Sequence, residues 1–238
     1  MKLKMISGGK RLLFFYEPRR PSDLRVVERQ MTGRKFAPAL ILGTANRCRW
    51  GCPRVVVCSP LKSATFHKGG DAQCRGFVPF PTSFWLTCPW LTRFIGTVES
   101  GGGVGELEQW LRAQQKHPDN QKRQNHQIHL FDMDHRLARM ALLSPSRLNF
   151  LRRFKPKVFD RLRRGGVGGI RHDDSVRVKC IHLQAASWLA LRRHPGEEWL
   201  KERDIGQECD GSSRCVYNRK TPSSATDLYR SVAFWLVF

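Results

Sequence analysis

Acidic residues are scarce in this chain. Its 238 residues include 42 Lys and Arg but only 20 Asp and Glu, which gives a formal net charge of +22. Residues 1–35 carry ten basic residues against three acidic ones, and residues 111–164 carry fourteen against four. Such an excess attracts nucleic acid, anionic membranes or acidic proteins, although solvated basic helix faces are the simpler interpretation.

Long hydrophobic runs are also absent. The apolar run Leu12–Tyr16 is too short for the core of a secretory signal, and residues 232–238 are too few to span a bilayer. We therefore expect no transmembrane segment and a cytoplasmic protein. Cysteines stay reduced in that compartment, which favours metal binding, catalysis or burial over disulfides.

Familiar catalytic motifs are missing as well. The chain has no phosphate-binding loop, no Gly-x-Ser-x-Gly elbow and no kinase signature. The segment Gly165–Gly169 could offer backbone amides to an anion, which makes Gly166, Gly168 and Gly169 weak cofactor-binding candidates. A plain flexible turn is the favoured interpretation, and whether the protein is an enzyme stays open.

Short runs of branched and apolar residues predict a small early sheet. We expect three strands, at residues 39–44, 54–57 and 82–87. Residues 59–78 show little periodicity and predict a loop or insertion. Five to seven helices complete the fold, among them 128–143, after a polar linker at 117–127, and 148–164. Strands early and helices late favour a single α+β domain.

Three regions divide the chain at the level of sequence. We expect a basic flexible arm at 1–21, the α+β domain at 22–218 and a C-terminal tail at 219–238.

The helix expected at 148–164 combines a basic surface with an apolar stripe. We interpret the aromatic residues of the stripe as core rather than as stacking platforms for bases. The basic residues could nonetheless follow a nucleic-acid backbone. Together with the basic arm, this helix indicates nucleic acid or another polyanion as a partner. The stripe consists of Phe150, Leu151, Phe154, Val158, Phe159 and Leu162.

The cysteines, eight in all, are dispersed, and their settings differ. Cys48 and Cys52 are separated by three residues, but the second close pair that a zinc finger requires is missing. Cys88 ends a strand just before a helix, and Cys180 lies near another helix start, where thiol pKa values are lowered. Dispersed thiols are compatible with zinc or an iron–sulfur cluster assembled by the fold. Burial as small hydrophobic residues is the simpler alternative.

The histidines give weaker signals. His182 follows Cys180 by two residues, so on a helix the two side chains diverge and a direct Cys–His pair is not expected. His182 is a weak catalytic candidate, as a proton carrier, or else an interior histidine with satisfied hydrogen bonds. His126, His129 and His135 could bind metal at helical spacing, but a solvated polar face is favoured.

Five segments carry a family resemblance: Arg29–Arg34, Arg47–Pro53, Pro79–Pro89, Gly166–Ile170 and Val178–His182. In this order they resemble the bacterial family called domain of unknown function 501, over residues 22–218. The resemblance implies that the shared thiols are Cys48, Cys88, Cys180 and Cys209. Cys52 falls where the family pattern has no cysteine. The chain departs from the pattern in an Arg after Cys48, an insertion around 62–76 and basic ends.

Residues and resemblance together predict a thiol-lined site. We expect Cys48, Cys88, Cys180 and Cys209 to bind an iron–sulfur cluster or zinc. Their sulfurs would then lie about 4 Å apart around zinc, or about 6–7 Å apart around a four-iron cluster. The alternative is a basic nucleic-acid-binding accessory protein whose cysteines are only structural. The sequence names no substrate, reaction or oligomeric state.

Overall fold

A computed structural model describes residues 2–7, 10–32, 37–68, 72–170, 176–211 and 215, with the backbone alone at 2–7, 10–15, 65–68 and 72–75. The expected C-terminal tail at 219–238 lies outside these residues. The division into arm, domain and tail therefore stays a prediction.

A four-stranded antiparallel sheet forms the centre of the fold. Its strands lie in the order β3 (Glu17–Pro18), β4 (Ile41–Arg47), β5 (Pro53–Cys58) and β8 (Phe84–Leu86). The three expected strands correspond to β4, β5 and β8, and they pair with one another. Every residue of β5 is buried, as a run of branched side chains in a covered central strand requires.

Two hairpins flank this sheet. One pairs β1 (Lys2–Ser7) with β2 (Lys10–Phe15), inside the region expected to be a flexible arm. The other pairs β6 (Leu61–Lys68) with β7 (Ala72–Pro79) in the region expected to be a loop or insertion, so the loop was wrong and the insertion stays a prediction. These strands pair with each other rather than with the central sheet, which explains why the apolar alternation that signals a half-buried strand is weak there.

The described part of the chain contains eight α-helices, and the α+β class is confirmed. The expected linker at 117–127 was partly wrong, because residues 121–127 form the first part of a helix, α4 (Gln121–Ala141). The expected helix at 148–164 is two helices, since Pro156 lacks an amide donor and starts a new helix instead. The helices are α1 (Pro21–Gln30), α2 (Pro89–Ser100), α3 (Gly103–Lys116), α4 (Gln121–Ala141), α5 (Pro145–Phe154), α6 (Pro156–Arg164), α7 (Ile181–Leu191) and α8 (Glu197–Glu202).

Helix α7 is the most buried helix of the core. Ile181, Ala185 and Ala186 are fully buried, and the helix packs on β8 and α2. A helix that is apolar on most of its faces belongs in the interior. Its position brings the start of α7, with Cys180, against the segment Pro79–Pro89.

One buried arginine ties separate parts of the fold together. The guanidinium of Arg139, fully buried, donates to the carbonyls of Leu162 at 2.9 Å, Gly165 at 2.6 Å, Gly166 at 2.8 Å and Pro81 at 3.3 Å. Five donors in a fixed fork let a single arginine satisfy several chain segments at once. Burial lowers the pKa of Arg139 to about 10.

None of the helices within the described residues is both long enough and apolar enough to cross a membrane.

Candidate functional site

The turn between β4 and β5 brings two cysteines together. The amide of Cys48 donates to the carbonyl of Cys52 at 3.0 Å, and the amide of Gly51 donates to the carbonyl of Cys48 at 2.8 Å. Gly51 has φ 73°, a left-handed conformation that glycine adopts without strain. Both thiols are buried in this turn.

Cys215 joins this pair from the far end of the described chain. The three cysteines form one buried cluster with Val26 and Trp50 packed against it, and we call Cys48, Cys52 and Cys215 the thiol group. The thiol of Cys52 donates to the carbonyl of Cys215 at 3.5 Å. It also shares hydrogen bonds with the thiols of both neighbours.

Sharing of protons sets the ionisation of the thiol group. The hydrogen bond from Cys52 is the main reason that the pKa values of Cys48 and Cys215 are lowered despite their burial. The same bonds, followed by burial, raise the pKa of Cys52. The outer thiols are therefore the ones that ionise first, while Cys52 keeps its single proton, which bonds one acceptor at a time.

The segment Gly206–Cys209 closes one side of this turn. Arg54 is buried and donates to the carbonyls of Gly206 at 2.6 Å and Gln207 at 3.0 Å. The indole of Trp50 donates to the carbonyl of Cys209 at 3.2 Å, and the amide of Arg49 donates to Glu208 at 3.0 Å. Cys209 is thereby held beside the turn.

Cys88 belongs to the same neighbourhood. It stands at the N-cap position of α2, where the amide of Leu91 acts to lower the pKa of its thiol without forming a capping hydrogen bond. Burial nevertheless raises its pKa, and the nearby charges that act on it come from Arg54, Cys209 and Cys215. Three of the four cysteines predicted as ligands, Cys48, Cys88 and Cys209, thus lie on this side of the molecule with Cys52 and Cys215.

Cys180 has different neighbours. It precedes α7, and the charges that act on its thiol are those of Glu99 and Lys179. Burial is the main reason that its pKa is raised. Within the described residues, no group of three or more His, Cys, Asp and Glu side chains is arranged to hold a metal ion. Metal binding by the predicted set stays a prediction.

His182 joins two helices through both of its ring nitrogens. Nδ1 lies 3.0 Å from Oε1 of Glu99, and Nε2 lies 3.0 Å from the carbonyl of Thr92. Glu99 also accepts from the amides of Ile181 at 2.5 Å and His182 at 3.2 Å. This geometry braces the start of α7 against α2, and the catalytic role of His182 stays a prediction.

Backbone amides of the glycine-rich segment are already engaged. The amide of Gly166 donates to the carbonyl of Ile170 at 2.7 Å, and the amide of Gly169 donates to that of Gly166 at 3.1 Å. The amide of Val167 donates to the carboxylate of Asp132 at 3.2 Å. Anion binding by Gly166, Gly168 and Gly169 stays a prediction, and a ligand there would have to displace these bonds.

Helices α5 and α6 carry a strongly basic surface with two aromatic rings on it. The side chains of Phe150 and Phe154 are 44% and 58% exposed, and their ring centroids lie 5.3 Å apart. The guanidinium of Arg153 lies 5.3 Å from the ring centroid of Phe154. Assigning these two aromatic residues to the core was therefore wrong, because the break at Pro156 separates them from Leu162.

Two members of the thiol group were missed at the level of sequence. Cys52 was set aside because the family pattern has no cysteine there, although its spacing from Cys48 was a usable signal. Cys215 carries no motif of its own, and it lies 163 residues from Cys52. Only the fold could reveal that contact.

The comparisons with known proteins give one match. The model of a family described as "Protein of unknown function (DUF501)" matches residues 44–202, two thirds of the chain. No curated protein and no solved structure matches the chain. Cys48, Cys52, Cys88 and Cys180 lie inside the matched residues, whereas Cys209 and Cys215 lie beyond them.

Proposed function

The chain belongs to the DUF501 family, whose description assigns no function, and we therefore propose one from its thiols: the protein binds zinc or an iron–sulfur cluster through the thiol group. The observation that carries this proposal is the burial of Cys48, Cys52 and Cys215 in one cluster, in which the thiol of Cys52 bonds the carbonyl of Cys215. Thiolates are the ligands that both groups prefer. Cys209, held beside the turn, is the fourth ligand that we propose.

The surroundings of the thiol group favour thiolates. Arg54 interacts electrostatically with Cys88 and holds the segment that carries Cys209. Cationic neighbours stabilise the negative charge of a metal–thiolate centre. The described side chains are not arranged as metal ligands. Binding of the metal would therefore shift these side chains and replace the S–H hydrogen bonds of the thiol group with metal–sulfur bonds.

Metal analysis of the full chain tests this proposal. After anaerobic purification, we expect stoichiometric zinc by mass spectrometry, or stoichiometric iron with sulfide and visible absorption. Cys52→Ser should lose the bound metal, because this thiol contacts both neighbours. Cys58→Ala is the matched control: Cys58 is fully buried elsewhere, and burial raises its pKa to about 12.

Two outcomes would contradict the proposal. A wild-type chain that contains neither metal after anaerobic purification and fails to bind added zinc would show that the thiol group is structural. Equal loss of metal from Cys52→Ser and Cys58→Ala would show that the metal sits elsewhere.

A second function is favoured by the surface of α5 and α6: binding of single-stranded nucleic acid. This surface carries eight basic residues against one acidic residue, Asp160, over residues 145–164. The exposed rings of Phe150 and Phe154 are available to stack on bases, and stacking contributes about 1–3 kcal/mol per base. Basic residues alone would bind duplexes as well, so the two rings are the observation that favours single strands.

Fluorescence anisotropy with a labelled single-stranded RNA tests this function. Phe154→Ala should weaken single-strand binding by about 1–3 kcal/mol and leave duplex binding nearly unchanged. Arg153→Gln should weaken both and reduce the salt dependence by about one phosphate contact. Arg203→Gln is the matched control, since Arg203 also lies over an aromatic ring, that of Trp199 at 4.0 Å. Negligible affinity at physiological salt would remove this function.

A further inference from the structure

A cavity of about 510 Å³ lies between the segment Pro79–Pro89 and the start of α7. Phe80, Phe84, Trp85, Leu86 and Leu183 make its walls predominantly apolar. Cavities of this size and character hold small organic ligands, with a few polar groups that fix their orientation. We call it the Cys180 cavity, because this thiol lies in its lining.

The polar groups of the cavity are unevenly satisfied. Thr92 lines the cavity and is only 5% exposed, yet its hydroxyl has no hydrogen-bond partner within the described part of the chain. The hydroxyl oxygen is closed off from solvent, so a ligand in the cavity does not reach it as the structure stands, and the polar contact must come from another lining residue.

Charge at the cavity favours an anion. Lys179 lines the cavity, its side chain is exposed, and no described residue forms an ion pair with it. Glu99, whose charge acts on the neighbouring Cys180 thiol, already accepts from two amides and pairs with His182. The ammonium group of Lys179 is therefore the charge that remains available to a ligand.

We propose that the Cys180 cavity binds an amphipathic monocarboxylic acid, with its apolar body against Trp85 and Leu183 and its carboxylate against Lys179. Binding is non-covalent. Burial raises the pKa of Cys180, which keeps the thiol protonated and a poor nucleophile. This site is separate from the thiol group and does not rest on metal binding.

Alkylation of Cys180 reports occupancy of the cavity. Among the seven cysteines whose side chains the structure describes, Cys180 is the one that is not buried, so N-ethylmaleimide can reach it in the folded chain. We use decanoate as the probe and 1-decanol as its uncharged counterpart, each below its aggregation limit, and follow the Cys180 peptide by mass spectrometry. Decanoate should slow alkylation at lower concentration than decanol does.

Two variants separate the charge from the apolar walls. Lys179→Gln should weaken decanoate binding about tenfold and leave decanol binding unchanged, because one charge-assisted contact is lost. Lys116→Gln, which removes an exposed charge at the C-terminal end of α3, is the control and should change neither.

Each remaining outcome overturns part or all of the inference. Equal decanoate binding by wild type and Lys179→Gln would refute the carboxylate assignment. Failure of both probes to protect Cys180 would refute the cavity as a ligand site. Metal content measured on the same samples keeps this result distinct from a failure of the thiol group.

Discussion

Two buried histidines should make the stability of this protein sensitive to acid. His135 packs between the rings of Phe84 and Phe131, and neither of its ring nitrogens has a hydrogen-bond partner among the described atoms. Burial, and then the charge of Arg139, lowers the pKa of His135 from 6.5 to about 3. The solvated face expected around this histidine was therefore wrong.

His194 is held neutral by its partners. Its Nδ1 accepts from the amide of Gly196 at 2.8 Å, so Nε2 carries the proton and donates to Gln184 at 2.8 Å. Burial lowers the pKa of His194 to about 3 as well. A second proton would have to displace the bond from Gly196.

The direction and size of the pH effect follow from these pKa values. Because the folded state disfavours the charged imidazole, the unfolded chain takes up the protons as the pH falls below 6.5, and folding stability falls with it. Each histidine lowers the free energy of unfolding by about 1.4 kcal/mol for every pH unit that the pH falls between its unfolded-state and folded-state pKa values. At about pH 5 the loss is about 2 kcal/mol for each histidine.

His135→Leu isolates this effect. In urea unfolding, we expect the free energy of unfolding of the variant, relative to that of wild type, to rise by about 2 kcal/mol when the pH is lowered from about 8 to about 5. Val27→Ala, a substitution in a separate core cluster without a titrating group, should lower the free energy of unfolding equally at both pH values. A stability difference between His135→Leu and wild type that is the same at both pH values would refute the buried neutral histidine.

Three further substitutions test the framework around the sites. Arg139→Met should lower the free energy of unfolding by about 3–5 kcal/mol, because four backbone carbonyls lose their donor, and thermal unfolding measures it. Arg47→Gln should lower the free energy of unfolding by about 1–3 kcal/mol, because the nearly buried Asp23 loses bonds of 2.8 Å to both of its oxygens. This loss should vanish in an Asp23→Asn background, and its persistence there would contradict the pairing. Gly51→Ala should cost about 1 kcal/mol by denaturant titration because of its positive φ, and a neutral result would argue against this turn.

Local patterns predicted the central sheet and the helices that pack on it. The branched run of β5, Pro89 at the start of α2 and the apolar residues of α7 each specify a structure within a few residues of chain. These predictions agree with the structure because each depends only on residues that are close together in the chain.

The elements that sequence analysis missed depend on long-range or subtle features. β6 and β7 pair with each other, so their backbone bonds rather than an apolar face define them. Pro156 was a visible signal for the break that exposes Phe150 and Phe154, and a continuous helix was assumed across it. The thiol group needed a contact between residues that no local pattern connects.

The turn at Cys48–Pro53 has a consequence for the order in which this chain matures. Trp50 meets Cys209 across 159 residues, and Cys52 meets Cys215 across 163. A ribosome releases the chain from its N-terminus, so β4 and β5 are made early, yet the partners of their connecting turn emerge only after every described helix. Contacts of such separation close slowly. The thiols of a nascent chain thus stay open to oxidants and metal ions until residues 209–215 have emerged.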